Sequence, residues 1–229
     1  KKMFFADNIA PLVDDIFANP IGAESFTIIL GAIAFGIQIY GDFSGYSDIA
    51  IGAALILGLK IPINFNKPYF ASSPSDFWNR WHISLSSWLR DYFYIPLGGN
   101  KKSNDRTYLN LMTVMFFGGL WHGASINFII WGVLHGGYLA IHRIILKKCP
   151  KLSNNLFFKT RSGRIISILA TQYFVFLAWI SFRVGDMEHL AYSMQKYVIL
   201  DFQIIETIEI INSHKISVLL LSLFIILHF

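Results

Sequence analysis

Apolar stretches alternate with more polar, charged segments along the whole 229-residue chain. The apolar stretches are residues 26–40, 49–59, 108–120, 126–140, 165–182 and 216–229. Stretches of this kind are typical of helices that cross or enter a lipid bilayer, whose hydrocarbon core is about 30 Å thick. The pattern therefore predicts an all-α, polytopic transmembrane protein.

The central pair of apolar stretches is separated by a glycine-rich break that contains His122. Residues 108–120 and 126–140 are short, since about 13 to 15 helical residues extend only about 20 Å. If both stretches enter the bilayer from one side, the break lies within the hydrocarbon, lined by protein, because irregular backbone cannot face lipid. An ionisable residue at that depth is a functional candidate. The alternative is a core histidine that is hydrogen-bonded between helices.

Two aspartates, Asp42 and Asp48, interrupt the otherwise apolar segment 26–59. A carboxylate inside the bilayer is costly. We therefore predict that this segment is a broken helix, or one span followed by a re-entrant piece.

Residues 75–94 predict an amphipathic helix. Ser73 can cap its first turn, Pro74 suits the first helical position, and Asp76 lies three residues after the cap. A helix of this type fits a membrane interface, with indole rings at headgroup depth. We expect it to follow the cytoplasmic interface, with His82 directed towards the protein interior. The residues expected to point inward with it are Trp78, Trp81 and Trp88. For His82 the alternative is an ordinary interfacial histidine among tryptophans.

Charge is distributed unevenly between the segments that join the apolar stretches. Residues 60–106 and 143–164 are basic, whereas residues 183–215 and 1–25 are acidic. The positive-inside rule places the two basic segments in the cytoplasm and the two acidic ones outside. The net charge of +5 therefore suits orientation in a plasma membrane, and we expect no nucleic-acid partner.

The composition supports a membrane protein and excludes several site types. The chain is 54% hydrophobic and 14% charged, with a mean hydropathy of +0.50, whereas soluble domains carry about 25% charge. Cys149 is the single cysteine, and no His/Cys/Asp metal spacing or phosphate-binding glycine loop is present, so we expect no metal. Arg80, Arg90 and Lys101 could meet the phosphates of a cytosolic cofactor, but lipid headgroups explain them equally well.

His135 is expected to pack between helices or to form an interhelical hydrogen bond. It adjoins a ridge of small residues, Gly132, Gly136 and Ala140, and such ridges let helices approach closely in lipid. His142 lies seven residues further on the same helix face, and we expect the same role for it.

Three blocks of sequence carry a family resemblance. YGDFSGYSDIAIG at 40–52, WNRWHISLSSWLRDYFYIPLGGN at 78–100 and GGLWHGASINFIIWGVLHG at 118–136 occur in this order. Together they resemble the membrane-bound O-acyltransferase superfamily, in the branch of alginate O-acetyltransferases and teichoic-acid D-alanyl transfer proteins. The resemblance covers residues 26–182. Because members are longer, we expect residues 1–229 to be one membrane-embedded domain, the C-terminal part of a longer chain.

The resemblance implies that His122 is the catalytic histidine and that His82 is a second functional histidine in the same tunnel. The implied activity is acyl transfer to a hydroxyl of an envelope polysaccharide. The donor would be an acyl-CoA, with acetyl-CoA as first candidate, bound from the cytosolic side. The acceptor would be a polysaccharide or an extracytoplasmic partner protein. Two alternatives are a transporter that uses the histidines as a proton relay and a non-catalytic scaffold of a polysaccharide secretion complex.

Overall fold

The computed structural model describes residues 1–149 and 155–228, and these fold predominantly into α-helices. The helices are α1 (Asp7–Ala18), α2 (Ser25–Ile56), α3 (Pro74–Trp78), α4 (Ile83–Leu89), α5 (Asn104–His122), α6 (Ile126–Lys148), α7 (Arg161–Arg183), α8 (Met187–Val198), α9 (Ile205–Ser213) and α10 (Lys215–His228). Single π-helical turns cover Lys2–Ala6 and Arg90–Tyr94, and 3-10 turns cover Pro68–Phe70 and Leu156–Lys159. The all-α prediction is confirmed. Lys151, within the predicted basic segment 143–164, lies outside the described residues.

Three helices of the described chain are long and apolar enough to cross a membrane, namely α2, α6 and α7. The pair α9 and α10 passes the same test only when taken together, and it bends by 92° at its break. A polytopic membrane protein with a broken helix pair is therefore confirmed.

The chain forms two compact units. The first comprises Lys1–Pro62 and Trp179–Phe229. In this unit α1 packs so closely on α2 that a Cβ atom at Gly31 would lie 2.8 Å from Cγ2 of Ile16. Phe224 of α10 is fully buried and packs edge-on against the ring of Tyr40.

Helix α2 is continuous through Asp42 and Asp48, so the predicted break in this segment was wrong. The two carboxylates are neutralised at the helix surface instead. Lys2 pairs with Asp42, and Nζ of Lys1 lies 2.8 Å from Oδ2 of Asp48. Because the ion pairs offset the cost of the two carboxylates, the helical hydrogen bonds can continue across Asp42 and Asp48.

In the same unit, the N-termini of α2 and α9 exchange hydrogen bonds. The backbone N–H of Glu24 donates to Oε2 of Glu206 at 2.7 Å, and the N–H of Thr207 donates to Oε2 of Glu24 at 3.2 Å. A carboxylate at a helix N-terminus is favoured because it accepts from backbone N–H groups that lack an intrahelical partner. This exchange explains how Glu24 stays buried.

The second unit comprises Ile63–Ala178 and contains the α5–α6 hairpin. The two helices touch through glycines: a Cβ at Gly119 would lie 2.2 Å from the carbonyl oxygen of Phe128, and one at Gly132 would lie 2.4 Å from that of Met115. At Gly136 the nearest atom is the Cα of Met112, at 3.0 Å. The predicted packing role of the small-residue ridge is thus seen at Gly132 and Gly136, which pack against α5.

The hairpin helices are longer than their apolar stretches, and this corrects the predicted lengths. Helix α5 has 19 residues and α6 has 23, about 28 and 34 Å at 1.5 Å per residue. Both continue into polar sequence, because Ser103 caps α5 by accepting from the N–H of Arg106 and the basic residues Lys147 and Lys148 end α6. Helix length alone therefore does not place His122 at mid-bilayer depth.

The predicted helix 75–94 is divided, which is a second correction. Ser73 caps α3 by accepting from the N–H of Asp76, as predicted, but α3 ends at Trp78. The chain turns at His82, which has a left-handed backbone (φ 43°), before α4 begins. Because the turn changes the helical phase, Trp81 stays buried whereas Trp88 is 46% exposed rather than directed inward.

Candidate active site

Three histidines of the second unit belong to one chain of ring contacts. The ring of His82 lies 5.8 Å from that of Trp121, which lies 5.0 Å from His122. His122 in turn lies 5.2 Å from the ring of Trp131, which is 4.8 Å from His135. The structure therefore brings together the two histidines predicted as site residues, although they come from sequence segments forty residues apart.

His122 is placed by the end of α5. It is the last residue of that helix, and the N–H of the following Gly123 donates to the carbonyl oxygen of Leu120. Gly123 has φ +154°, and a Cβ there would come within 2.9 Å of the ring of Phe128. A glycine is required at this position, since it lets the chain turn into α6 directly after the histidine.

His82 is placed by its left-handed backbone and by an extended strand-like segment beside it. The carbonyl of Asn64 accepts from the N–H of Ile83 at 3.0 Å, and its Oδ1 accepts from both the N–H and the hydroxyl of Ser84. Two residues on, the N–H of Asn66 donates to the carbonyl of Arg80. Hydrogen bonds on both sides of the turn therefore hold His82 in place.

The environment of His82 favours its neutral form. The side chain is buried, and burial together with the nearby His122 lowers the pKa of His82 below its ordinary value. A neutral imidazole can accept a proton or donate a hydrogen bond near neutral pH. Base chemistry and hydrogen bonding are thus both available at this position.

Helix α4 separates two cavities. The first, of about 290 Å³, is lined by His82, Ser84, Leu85, Trp88 and Trp121. The second, of about 420 Å³, is lined by other residues of α4, including Ile83, Ser86 and Ser87. His82 stands at the N-terminal end of this helix, next to the first cavity. Of the two cavities, only the first is lined by a histidine.

His135 occupies the buried end of the same cluster. It is 1% exposed, stacks on the ring of Phe77 at 5.9 Å and contacts the indole of Trp78 at 5.1 Å. These contacts fit the predicted packing role. Sequence reasoning did not single out Trp131, which links His135 to His122. The spacing of four residues between Trp131 and His135, one helical turn, was the available signal.

In residues 1–149 and 155–228 no group of three or more His, Cys, Asp or Glu side chains is arranged to hold a metal ion. His82 and His122 each place an imidazole next to the indole of Trp121. His82 and His122 can each accept or donate a proton.

Comparisons with known proteins identify a family and several relatives of the chain. The model of the membrane-bound O-acyltransferase family matches residues 24–184, which include His82, His122 and His135. A probable alginate O-acetylase of Pseudomonas aeruginosa is 46% identical over 191 residues, 82% of this chain and 34% of the relative. A peptidoglycan O-acetyltransferase of Helicobacter pylori is 43% identical over 188 residues, again 82% of this chain and 34% of the relative.

A more distant relative is a teichoic acid D-alanyltransferase of Bacillus subtilis, 31% identical over 191 residues, 77% of this chain and 47% of the relative. The chain spans about a third of the length of the Pseudomonas and Helicobacter relatives. The matched segment nevertheless covers more than half of this chain and carries the helices that hold the histidine cluster. The chain belongs to the membrane-bound O-acyltransferase family.

Proposed function

We propose that the protein is a membrane O-acyltransferase that transfers an acetyl group to hydroxyls of a cell-envelope polysaccharide. The observation that carries the proposal is the meeting of His82 and His122 across the single indole of Trp121. The relatives add support, since they are a probable alginate O-acetylase, a peptidoglycan O-acetyltransferase and a teichoic acid D-alanyltransferase.

In the proposed reaction His122 accepts the proton of the acceptor hydroxyl. The hydroxyl oxygen attacks the carbonyl carbon of the donor thioester, the C–S bond breaks, and the thiolate leaves and takes up a proton. General-base catalysis of this kind typically contributes about 10²–10⁴-fold to the rate. His82, neutral and next to His122, orients the hydroxyl or the carbonyl by hydrogen bonding. In the proposed reaction, exclusion of water from the site protects the thioester from hydrolysis.

The proposed arrangement of substrates follows the charge of the chain. An acyl-CoA, acetyl-CoA first, approaches from the cytosolic side, where the basic segments 60–106 and 143–164 are expected. The acceptor approaches from outside the plasma membrane, as the polysaccharide itself or through an extracytoplasmic partner protein. Membrane lipids surround the helices.

The test is acyl transfer by the purified full-length protein, supplied with labelled acetyl-CoA and an acceptor polysaccharide. His122→Ala should reduce transfer by about 10²–10⁴-fold while expression and membrane insertion stay near normal. His82→Ala should reduce transfer less. A matched control is His189→Ala, on α8 of the other unit, which should retain activity.

The competing functions predict different results in the same assay. A proton-relay transporter would move solute in response to the membrane potential without releasing CoA. A scaffold would do neither. Full acyl transfer by a well-folded His122→Ala protein would contradict the proposed mechanism.

A further inference from the structure

The second unit carries four cations where α6 ends and α7 begins, and the proposed reaction does not use them. Lys147 and Lys148 lie in the last turn of α6, and Arg161 and Arg164 are among the first four residues of α7. All four side chains are exposed. Together with the turn Leu156–Phe158 between them, they form the basic end of this unit.

The four cations stand at one end of a helix pair. Tyr138 of α6 contacts Phe174 of α7, with 5.1 Å between their ring centroids. Lys148 lies ten residues after Tyr138, and Arg164 lies ten residues before Phe174, so each is about 15 Å along its helix from this contact. Both helices are long and apolar enough to cross a membrane. Because consecutive spans run in opposite directions, α6 and α7 bring their cations to the same membrane surface.

The neighbouring sequence offers these cations no acid. No aspartate or glutamate occurs between Asp105 and Asp186. In residues 1–149 and 155–228, no ion pair includes any of the four cations. Helix α7 does not favour Arg161 and Arg164 either, since cations are unfavourable near the N-terminus of a helix. The compensating negative charge therefore has to come from outside the chain.

The turn between the cations is apolar and is held in place by hydrogen bonds. The hydroxyl of Thr160 donates to the carbonyl oxygen of Phe157 at 2.6 Å and accepts from the N–H of Gly163 at 3.1 Å. A Cβ at Gly163 would lie 2.0 Å from that carbonyl oxygen, so the turn rests directly on α7. Its side chains nevertheless point outward, with 75% of Leu156, 44% of Phe157 and 37% of Phe158 exposed. Contact with water at three successive apolar side chains is unfavourable.

The headgroup layer of a bilayer suits both the cations and the apolar turn. Segments that combine Lys or Arg with Phe and Leu bind there, because the phosphates attract the cations while the apolar side chains enter the acyl boundary. Ile165 and Ile166 of α7 are also exposed and continue the apolar surface from the turn into the span. A nucleic acid or an acidic protein would match the cations but would leave the turn in water.

We propose that the basic end binds the headgroups of anionic phospholipids, with the turn Leu156–Phe158 inserted among them. The four cations pair with the headgroup phosphates, and the apolar turn anchors the connection between α6 and α7 in the same leaflet. No residue of the basic end belongs to the histidine cluster, so the inference is independent of the proposed function.

The first arm of the test measures equilibrium binding of phosphatidylglycerol to the purified full-length protein in neutral detergent, with phosphatidylcholine as the zwitterionic reference. The test variant replaces the four cations together: Lys147→Gln, Lys148→Gln, Arg161→Gln and Arg164→Gln. It should bind phosphatidylglycerol at least about tenfold more weakly, because each cation near an anionic surface contributes a factor of about five. Binding of phosphatidylcholine should stay unchanged.

A matched control removes the same charge at exposed side chains elsewhere in the chain: Lys60→Gln, Lys101→Gln, Lys102→Gln and Arg106→Gln. This control should bind phosphatidylglycerol like the unchanged protein. Thermal unfolding establishes that both variants are folded. Unchanged affinity in the folded test variant would overturn the proposal. An equal loss in the control would overturn it too, because binding would then follow net charge alone.

The second arm measures the depth of the turn in nanodiscs that contain phosphatidylglycerol. A nitroxide attached at Leu156→Cys in a cysteine-free full-length protein should collide with dissolved oxygen and be shielded from a water-soluble nickel complex. The control is a nitroxide at Asp105→Cys, an exposed position in the first turn of α5, which should show the reverse. Equal access of the nickel complex to both positions would place the turn in water and contradict the insertion.

Other occupants of the basic end give different results in the same assays. If a single-stranded oligonucleotide or polyglutamate displaces phosphatidylglycerol and the turn stays in water, the surface binds a soluble polyanion and the lipid proposal is wrong. Glycerophosphoglycerol, the headgroup without acyl chains, should bind much more weakly than the lipid. Equal affinity for the two would show that the apolar turn contributes nothing, which would also contradict the proposal.

Discussion

The close contact between α5 and α6 predicts a graded response to alanine at three glycines of one helix. At Gly132 a new Cβ would lie 2.4 Å from the carbonyl oxygen of Met115, and ordinary contacts begin at 3.4 Å, so the helices must separate by about 1 Å. At Gly136 the nearest atoms lie at 3.0 Å, and at Gly137 nothing lies within 4 Å. Stability should therefore fall in the order Gly137→Ala, Gly136→Ala, Gly132→Ala.

The magnitude follows from two opposing terms. Alanine in place of glycine favours a helix by about 1 kcal/mol, and all three variants share this gain. Overpacking a well-packed contact lowers stability by about 1–3 kcal/mol. Gly137→Ala does not incur this loss, because no atom lies within 4 Å of the new Cβ. The difference between Gly132→Ala and Gly137→Ala isolates the packing term. We expect it to be about 1–3 kcal/mol, with Gly137→Ala at least as stable as the unchanged protein.

Thermal unfolding of the purified protein in one detergent measures this difference, at about 2–4 °C per kcal/mol for a chain of this size. Acyl transfer per folded molecule should be measured on the same samples, because α5 carries His122 at its end. We expect Gly132→Ala to lose both stability and activity, since separating the helices moves His122 relative to Trp131. Equal melting temperatures for Gly132→Ala and Gly137→Ala would refute the close contact and the reasoning drawn from it.

Three further predictions concern other parts of the chain. His135→Ala should lower the free energy of unfolding by about 3 kcal/mol, because a buried aromatic ring is removed. Acyl transfer per folded molecule should be retained. The melting temperature and a specific-activity assay measure the two effects. Because the pKa of His82 is lowered, the acid limb of the pH–rate profile should lie below 6.5, the ordinary pKa of histidine, and an acid limb above 6.5 would contradict this. The free energy of unfolding should fall as the pH drops through 6.5, because the unfolded chain then binds a proton at His82 that the folded chain does not. In intact cells an impermeant maleimide should leave the exposed Cys149 unlabelled but react with Glu188→Cys on α8, and the reverse pattern would invert the topology.

The sequence predicted the features whose signals are local. The start of α3 is an example, since Ser73, Pro74 and Asp76 each act within one turn and the structure places the cap where they indicate. The α6 ridge is another, because small residues at a spacing of four lie on one helix face whatever surrounds them. The pairing of His82 with His122 came from the family resemblance, and the residues alone left both histidines open to ordinary packing roles.

Two kinds of feature were not predicted from the sequence. One depends on ion pairs between residues far apart in the chain, and the other is a backbone conformation that no residue type marks. Asp42 and Asp48 suggested a broken helix because their partners, Lys2 and Lys1, lie forty or more residues away in the sequence. The division of helix 75–94 was missed because the apolar spacing runs on across the turn at His82. A left-handed backbone at a non-glycine residue leaves little trace in periodicity.

The left-handed backbone at His82 limits what can replace this histidine. With φ 43° and ψ 54°, the position suits glycine and asparagine and is unfavourable for β-branched or bulky side chains. When other residues replace His82, the measured loss of activity therefore combines the loss of the imidazole with backbone strain, unless the replacing residue also tolerates the left-handed conformation. His82→Asn keeps a hydrogen-bonding side chain and His82→Gly leaves a space the size of an imidazole, so this pair offers the cleaner comparison. If added imidazole restores acyl transfer to His82→Gly, the restored activity measures the contribution of the imidazole ring separately from that of the backbone turn.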